Sequence, residues 1–422
     1  MASSYYAGKR ESKAMRYYFL TLILLLVAVL AFFFSRETRT PASSSGGRIL
    51  YADGTVIDPS RMPQGLAQHL PDSSQTKNLD VRLTLQPKVQ TQIENEAKYL
   101  LDRTEAKTAS ILVLQIKTGE ILGISSASEI PTPADAPAYA IAETMEPGSL
   151  FKVFTLVAAL SEGLLDLDSS IYCEEGSFKY KDRTLKDSVP LGKVPVEEAF
   201  IQGSNIAFAK IALTLGQESF VRYLSHFAYA PSGSEHLLHG EKAGIPPDVE
   251  SVKNEDLTRF GIGYDFTTTQ LRMALAFACL AHEGKRIPPR LVHSLQSAEE
   301  RRVATTPPPL PGTLVSAEKA RRLMEVLTKS FGKRHEPGLI AGQPVAGRTG
   351  MAWKRIGRNY SEGKVISFLI GCWPAGNPDF LVSIVVDEPS QERLQEPGSP
   401  GMKDDPALIE SFRRMVFQFD GE

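Results

Sequence analysis

Residues 17–34 read YYFLTLILLLVAVLAFFF, a run of 18 with no charge, proline or glycine. A bilayer offers the backbone no water, so such a segment is committed to a helix, and about 18 to 20 apolar residues are enough to span one. Lys9, Arg10, Lys13 and Arg16 precede the run, and Arg36, Glu37 and Arg39 follow it with less net positive charge close by. The positive-inside rule then places residues 1–16 in the cytoplasm and everything after residue 34 outside. A cleaved leader would have a shorter apolar core and a small-x-small site. The nearest candidate, Thr40-Pro41-Ala42, lies late and holds a proline. A buried core helix would keep more polar positions than the lone Thr21. The run therefore reads as a single-pass anchor in the cell (inner) membrane, with a large domain on the outer, periplasmic side.

The 422 residues are 42% hydrophobic and 23% charged, which excludes a disordered or fibrous chain. Lys+Arg 47 against Asp+Glu 49 leaves −2, without the basic excess of a nucleic-acid binder. Three cysteines are too few for a disulfide framework. Cys279 and Cys372 fall in apolar segments as buried thiols, and a single disulfide stays open outside the cytoplasm. Residues 35–47 are a polar linker, and residues 48–58, RILYADGTVID, read as two short strands around Asp53-Gly54. A strand is expected at 80–85 and a hairpin at 109–125. Helices are expected over 87–103, 149–161, 194–215, 220–227, 267–283, 316–330 and 406–419, the sixth capped by Ser316. Three late strands fall at 345–353, 365–373 and 380–387. Early strands, a helical middle and late strands predict one α/β (α+β) domain, 80–422, with a sheet assembled from both chain ends.

The strongest local signal is Glu146-Pro147-Gly148-Ser149-Leu150-Phe151-Lys152. Pro-Gly turns the chain sharply, and Ser149 opens a helix. Lys152 lies one turn on, so both side chains share a face. The following VFTLVAAL is apolar almost all round, which buries the helix and Lys152 with it. Burial lowers a lysine's pKa, and a neutral amine can take a proton from a serine hydroxyl. The helix N-terminus also favours negative charge developing at Ser149. The competing reading of Ser149 is a plain N-cap. Other Ser-x-x-Lys matches begin at Ser74, Ser316, Ser330 and Ser361. They fall in polar loops, at an exposed helix start or where a helix ends at Gly332, and none pairs Pro-Gly with a buried helix.

Two further segments carry chemistry. Gln202-Gly203-Ser204-Asn205 precedes the apolar-periodic IAFAKIAL; alone, it reads as a helix start with a Ser/Asn cap. In VAGRTGMA, residues 345–352, Arg348 and Thr349 precede Gly350 on a predicted strand. That glycine lets a ligand approach the strand edge, although an edge strand with a solvated arginine is the plainer reading. Lys117-Thr118-Gly119 sits at a hairpin turn and reads as turn chemistry. His236 and His239 show helical spacing with no third ligand, so no metal site is expected. Gly261-Ile262-Gly263-Tyr264 lacks a dinucleotide-binding context and reads as a loop.

Taken together, these residues resemble the transpeptidase domain of penicillin-binding proteins, particularly the monofunctional, class B type. The resemblance runs from about residue 80 to 388. MEPGSLFKVFTLVAALSEGLL is similar to the nucleophile segment, FTTTQLRMALAFACLAHEGKRIPPRLV to the T-x-x-Q-L helix with the glycine and proline after it, and SFLIGCWPAGNPDFLVSIVVDEP to the last two strands. It implies a β-lactamase/transpeptidase-like fold, with a central, mainly antiparallel sheet flanked by helices. Ser149 and Lys152 match the nucleophile and its base. The first serine of the second motif falls at Gly203, Asn205 matches its asparagine, and Ser204 takes the variable middle position. The lysine of the third motif is Arg348, while Thr349 and Gly350 match.

The resemblance implies a serine D,D-transpeptidase that cross-links peptidoglycan stem peptides through an acyl-enzyme and is mimicked into a stall by β-lactams. Asn205 would orient the stem peptide, with Ser204 a candidate substitute for the missing hydroxyl. Arg348 and Thr349 would bind the terminal carboxylate beside Gly350. The backbone N–H groups of Ser149 and Met351 would form the oxyanion hole. No cofactor, metal or nucleic acid is implied, and a glycan-polymerising membrane partner is. Residues 35–79 correspond to a linker and a drastically shortened pedestal. Gly203 and Arg348 motivate one alternative, a catalytically impaired scaffold of the cell-wall machinery. Another is a β-lactam-hydrolysing or sensing protein on the same fold.

Overall fold

The computed structural model describes residues 47–71, 79–130, 138–227, 238, 240–242, 244, 252–297, 302–304, 313–335, 338–340, 342–357, 359–390 and 405–419. The expected anchor at 17–34 and His236 and His239 lie outside them. No helix among the described residues is long and apolar enough to cross a membrane.

β1 (Ile49–Leu50) pairs parallel with β2 (Leu79–Leu83). Pro87 sits in the first turn of α1 (Pro87–Thr104), where its fixed φ suits a helix. Val89, Ile93, Ala97 and Leu100 bury one face of that helix. β3 (Thr108–Gln115) and β4 (Ile121–Ser128) form the expected hairpin. Lys117-Thr118-Gly119 closes it as a turn, with Gly119 at φ +71 and Thr118 Oγ1 accepting from Glu120 N at 3.3 Å. A 3-10 turn, Gly148–Phe151, runs into α2 (Lys152–Ser161). The hairpin β5 (Ser177–Tyr180) and β6 (Arg183–Lys186) follows. Next come α3 (Val196–Gln202), α4 (Asn205–Phe227), α5 (Asn254–Phe260) and α6 (Gln270–Ala281). β7 (Val292–Ser297), β8 (Arg302–Ala304) and α7 (Ala317–Arg334) lead to β9 (Ala346–Ile356), β10 (Asn359–Trp373), β11 (Phe380–Asp387) and α8 (Pro406–Phe419).

The main sheet has the order β9-β10-β11-β3-β4, every neighbour antiparallel, so both chain ends do build it. Alternate residues serve two cores. Leu112, Leu114, Leu381 and Val385 join the core containing α2 and α6. Ile111, Val113, Val382 and Ile384 join the core containing α1 and α8. With apolar residues on both faces the central strands are buried between helical layers. A second sheet, β1-β2-β7-β8, takes in residues from the stretch expected as a shortened pedestal. Ile57 and Leu66 of that stretch join the larger core, so it packs on the main body.

Two helix expectations need correction. The helix expected over 194–215 is two helices. Gly203, at φ +77, takes the left-handed position that stops α3. α7 runs past Gly332 to Arg334, because its buried face, including Leu327, Ser330 and Phe331, outweighs the roughly 1 kcal/mol that an interior glycine costs.

Candidate active site

Three glycines bring three backbones into contact at the nucleophile turn. Gly148 has φ +52, and a Cβ built there would lie 2.3 Å from Met351 O. A Cβ on Gly263 would lie 2.0 Å from Gly148 O, and one on Gly350 would lie 3.0 Å from Leu150 N. Gly148 N donates to Gly263 O at 2.9 Å. The Gly261-Ile262-Gly263 segment is thus the floor of the turn, a role its sequence does not announce. Ser149, half-buried, faces a cleft of about 1390 Å³ that Lys152, Asn205, Arg348, Thr349 and Met351 also line.

Lys152 is 1% exposed. Its Nζ donates to Gly203 O and to Asn205 Oδ1, both at 2.7 Å. An ammonium has three donors, so one direction is left for the serine a turn earlier on the same face. Burial pulls the Lys152 pKa down to about 7. The charges of Arg348 and Arg334 push the same way, and Asp187 opposes them. A large share of molecules therefore carries a neutral amine at neutral pH, as a base for a serine requires.

Asn205 opens α4, and Asp187 holds it there. Asp187 Oδ1 accepts from Asn205 N at 2.6 Å and Ile206 N at 3.1 Å. Asn205 Nδ2 donates to Lys186 O at 2.9 Å, which turns its Oδ1 toward Lys152. Ser204, expected at the substrate, is not there. It is 2% exposed, donates to Asp187 Oδ2 at 2.5 Å and accepts from Ala207 N at 3.0 Å. Those bonds cap the orphan donors of a helix start, and Ser204 is absent from the cleft lining.

β9 is the edge strand and lies against the nucleophile turn. Residues 348, 350 and 352 alternate with 349 and 351 in its register with β10. In an antiparallel strand one residue's N–H and C=O point to the same side. Met351 O meets Gly148, so Met351 N–H also faces the nucleophile, where an oxyanion donor would stand. Ser149 N–H lies in the first turn of its helix and has no intrahelical partner. Arg348 is 2% exposed, with Nη1 donating to Phe200 O at 3.0 Å and Ser330 Oγ at 2.8 Å. Its guanidinium stacks 4.3 Å from the Phe200 ring centre. One arm of its fork is thus committed inside the protein, which leaves less of the guanidinium for the expected grip on a carboxylate. Ser330, set aside in the sequence as a helix-end residue, is what steers it. Thr349 Oγ1 stands 3.3 Å from His335 Nε2.

A polar girder that sequence reasoning missed braces the same turn. Glu146 Oε1 accepts from Asp265 N at 3.0 Å and Tyr360 Oη at 2.8 Å. Burial holds the Glu146 carboxyl above its ordinary pKa. Arg259 pairs with Asp265 at 2.5 Å and stacks on Tyr360. Tyr264 Oη accepts from Trp353 N at 3.3 Å on β9. These residues are more than 200 positions apart at the extremes, and no local spacing signals them. All three cysteines are free, buried thiols, and burial pushes Cys279 and Cys372 up to about 12. Among the described residues no cluster of His, Cys, Asp and Glu is placed to hold a metal.

A sheet edge laid beside a helix-opening serine, with a buried lysine one turn on, is the arrangement of a penicillin-recognising fold. The family profile "Penicillin binding protein transpeptidase domain" matches residues 109–400, and the chain belongs to that family. It is 27% identical to the penicillin-binding protein PbpB of Mycolicibacterium smegmatis over 76% of this chain and 52% of that one. It is 25% identical to the probable peptidoglycan D,D-transpeptidase PenA of Neisseria meningitidis over 82% of this chain and 58% of that one. The chain thus spans little more than half the length of these relatives. The crystal structure of penicillin binding protein 3 from Mycobacterium tuberculosis, in its apo form, superposes with a TM-score of 0.75 at 20% identity, covering 89% of this chain and 96% of that one. Its complex with aztreonam gives 0.76 at the same identity and coverage.

Proposed function

We propose that this protein is a membrane-anchored D,D-transpeptidase that acts on peptidoglycan stem peptides and is acylated by β-lactams at Ser149. The observation that carries this reading is a buried Lys152, held by Gly203 O and Asn205 Oδ1, one turn from Ser149 in an open cleft. Ser149 Oγ attacks the carbonyl of the terminal D-Ala-D-Ala bond, and its proton passes to Lys152 Nζ. The N–H groups of Ser149 and Met351 receive the oxyanion. The C–N bond then breaks, the leaving amine takes the proton from Lys152, and an acyl-enzyme ester is left. An amine from a neighbouring stem reverses these steps and forms the cross-link. Arg348 and Thr349 supply charge and a hydroxyl for the donor's carboxylate. The apolar run at 17–34 supports placement in the cell membrane with this domain on the outer side. A glycan-polymerising membrane protein fits as partner, since cross-linking needs newly made strands.

Labelled penicillin is the test. Wild type takes up the label covalently, and Ser149→Ala takes up none. A wild type that stays unlabelled at saturating antibiotic overturns the acyl-transfer reading and leaves the scaffold alternative standing.

A further inference from the structure

Gly203 stands where the family carries a hydroxyl, and the structure shows what has moved in. A Cβ built on Gly203 would lie 3.0 Å from Arg334 Nη2 and 3.5 Å from Arg348 Nη2. Two guanidinium ends from different elements therefore converge on one glycine. Arg348 arrives from β9, steered by Phe200 O, Ser330 Oγ and the Phe200 ring. Arg334 arrives from the last turn of α7, with Nε donating to Ile201 O at 3.3 Å. The carbonyl of the same glycine accepts from Lys152 Nζ.

We propose that Arg334 is a positioning residue of this site: with Arg348 it fills the space left open at Gly203 and sets two fixed positive charges beside the glycine whose carbonyl holds Lys152. The proposal rests on the reading of Lys152 as the base for Ser149. A guanidinium keeps its proton at any working pH, so the pair acts as a fixed field and not as a proton relay. The groups facing Lys152 are Ser149 on its own segment, Gly203 O and Asn205 Oδ1 from the α3–α4 turn, Asp187 after β6, Arg348 on β9 and Arg334 on α7. Among the charged groups Asp187 favours the charged amine, as the acceptors Gly203 O and Asn205 Oδ1 also do, and both arginines oppose it. On this view Gly203 and Arg348 form a matched exchange, and neither is a decayed motif. A serine restored at 203 would meet the Arg334 tip and adopt a left-handed φ that side chains disfavour.

The experiment is the pH profile of penicillin acylation in the full chain, for wild type, Arg334→Gln, Arg334→Lys and Gly203→Ser. Loss of one nearby positive charge moves the midpoint up by about one pH unit in Arg334→Gln. Arg334→Lys keeps the wild-type midpoint. Gly203→Ser slows acylation near neutral pH. A profile for Arg334→Gln that overlays wild type, or faster acylation by Gly203→Ser, overturns the proposal. NMR titration of 15N-labelled Lys152 Nζ in the same variants reads the amine directly. If wild type takes no label, the acyl-transfer reading fails on its own, and the NMR midpoints still decide whether Arg334 acts on Lys152.

Discussion

Lys152 is a cation placed where a cation is costly, and its consequences reach both rate and stability. On the proposed function acylation requires the neutral amine, so its rate is expected to rise as pH passes through about 7 and to level off above. An acylation rate independent of pH across that range would contradict the role. Stability follows by linkage. The unfolded lysine holds its proton up to about 10.4, whereas the folded one releases it near 7. Between those values the unfolded state binds more protons, so this group makes the fold gain stability as pH rises. Lys152→Met removes that slope, which denaturant midpoints measured at several pH values will show. The burial of Lys152 one turn after Ser149 was legible in the sequence, because the run after Pro-Gly is apolar almost all round. Asp187, Ser330 and Arg334 were not. They act on residues 17 to 182 positions away, and each has an ordinary local identity as a loop acid, a helix serine or a helix-end cation. Ser204 is the opposite case: its local signal, a helix cap, matches its bonds to Asp187 and Ala207, whereas the resemblance pointed it toward substrate.

At the scale of elements, the site depends on how closely backbones approach. Gly263→Ala places a Cβ 2.0 Å from Gly148 O at a residue with φ +87. The floor of the nucleophile turn must then shift, with a cost of several times the roughly 1 kcal/mol of an ordinary core change. The expected outcome is a clear fall in Tm and loss of penicillin labelling, although no catalytic atom has been touched; a folded, fully labelled variant would show the floor to be dispensable. Asp187→Ala removes the cap of α4 and costs about 0.5 to 2 kcal/mol. It also frees the backbone of Asn205, so acylation slows together with stability, a pairing that thermal denaturation and labelling rates test side by side. Most elements were readable from period and punctuation. α8 falls at 406–419 as expected, since its apolar stripe is set by packing on one side only. The break at Gly203 was not readable, because apolar periodicity continues across it and the glycine's φ is decided by α3 and α4 packing as separate rods. The same holds for α7, where Gly332 looked like a stop until its buried neighbours are counted.

At the scale of the whole molecule, the sheets and cores among the described residues are built from residue 49 onward, after the apolar run. Residues 48–422 expressed alone are expected to remain in the supernatant and take the penicillin label, while the full chain partitions into lipid vesicles. A full chain that stays with the supernatant would count against the anchor. The parallel pairing of β1 with β2 has a mechanical meaning for a chain held upstream. Arg48 grips Asp80 through both its backbone N–H, at 2.7 Å, and its guanidinium, at 2.6 Å. Val81 N bonds Arg48 O at 2.8 Å. A force applied to residue 47 along the axis of β1 would load these bonds together in shear, where a hairpin pulled from its open end would unzip one bond at a time.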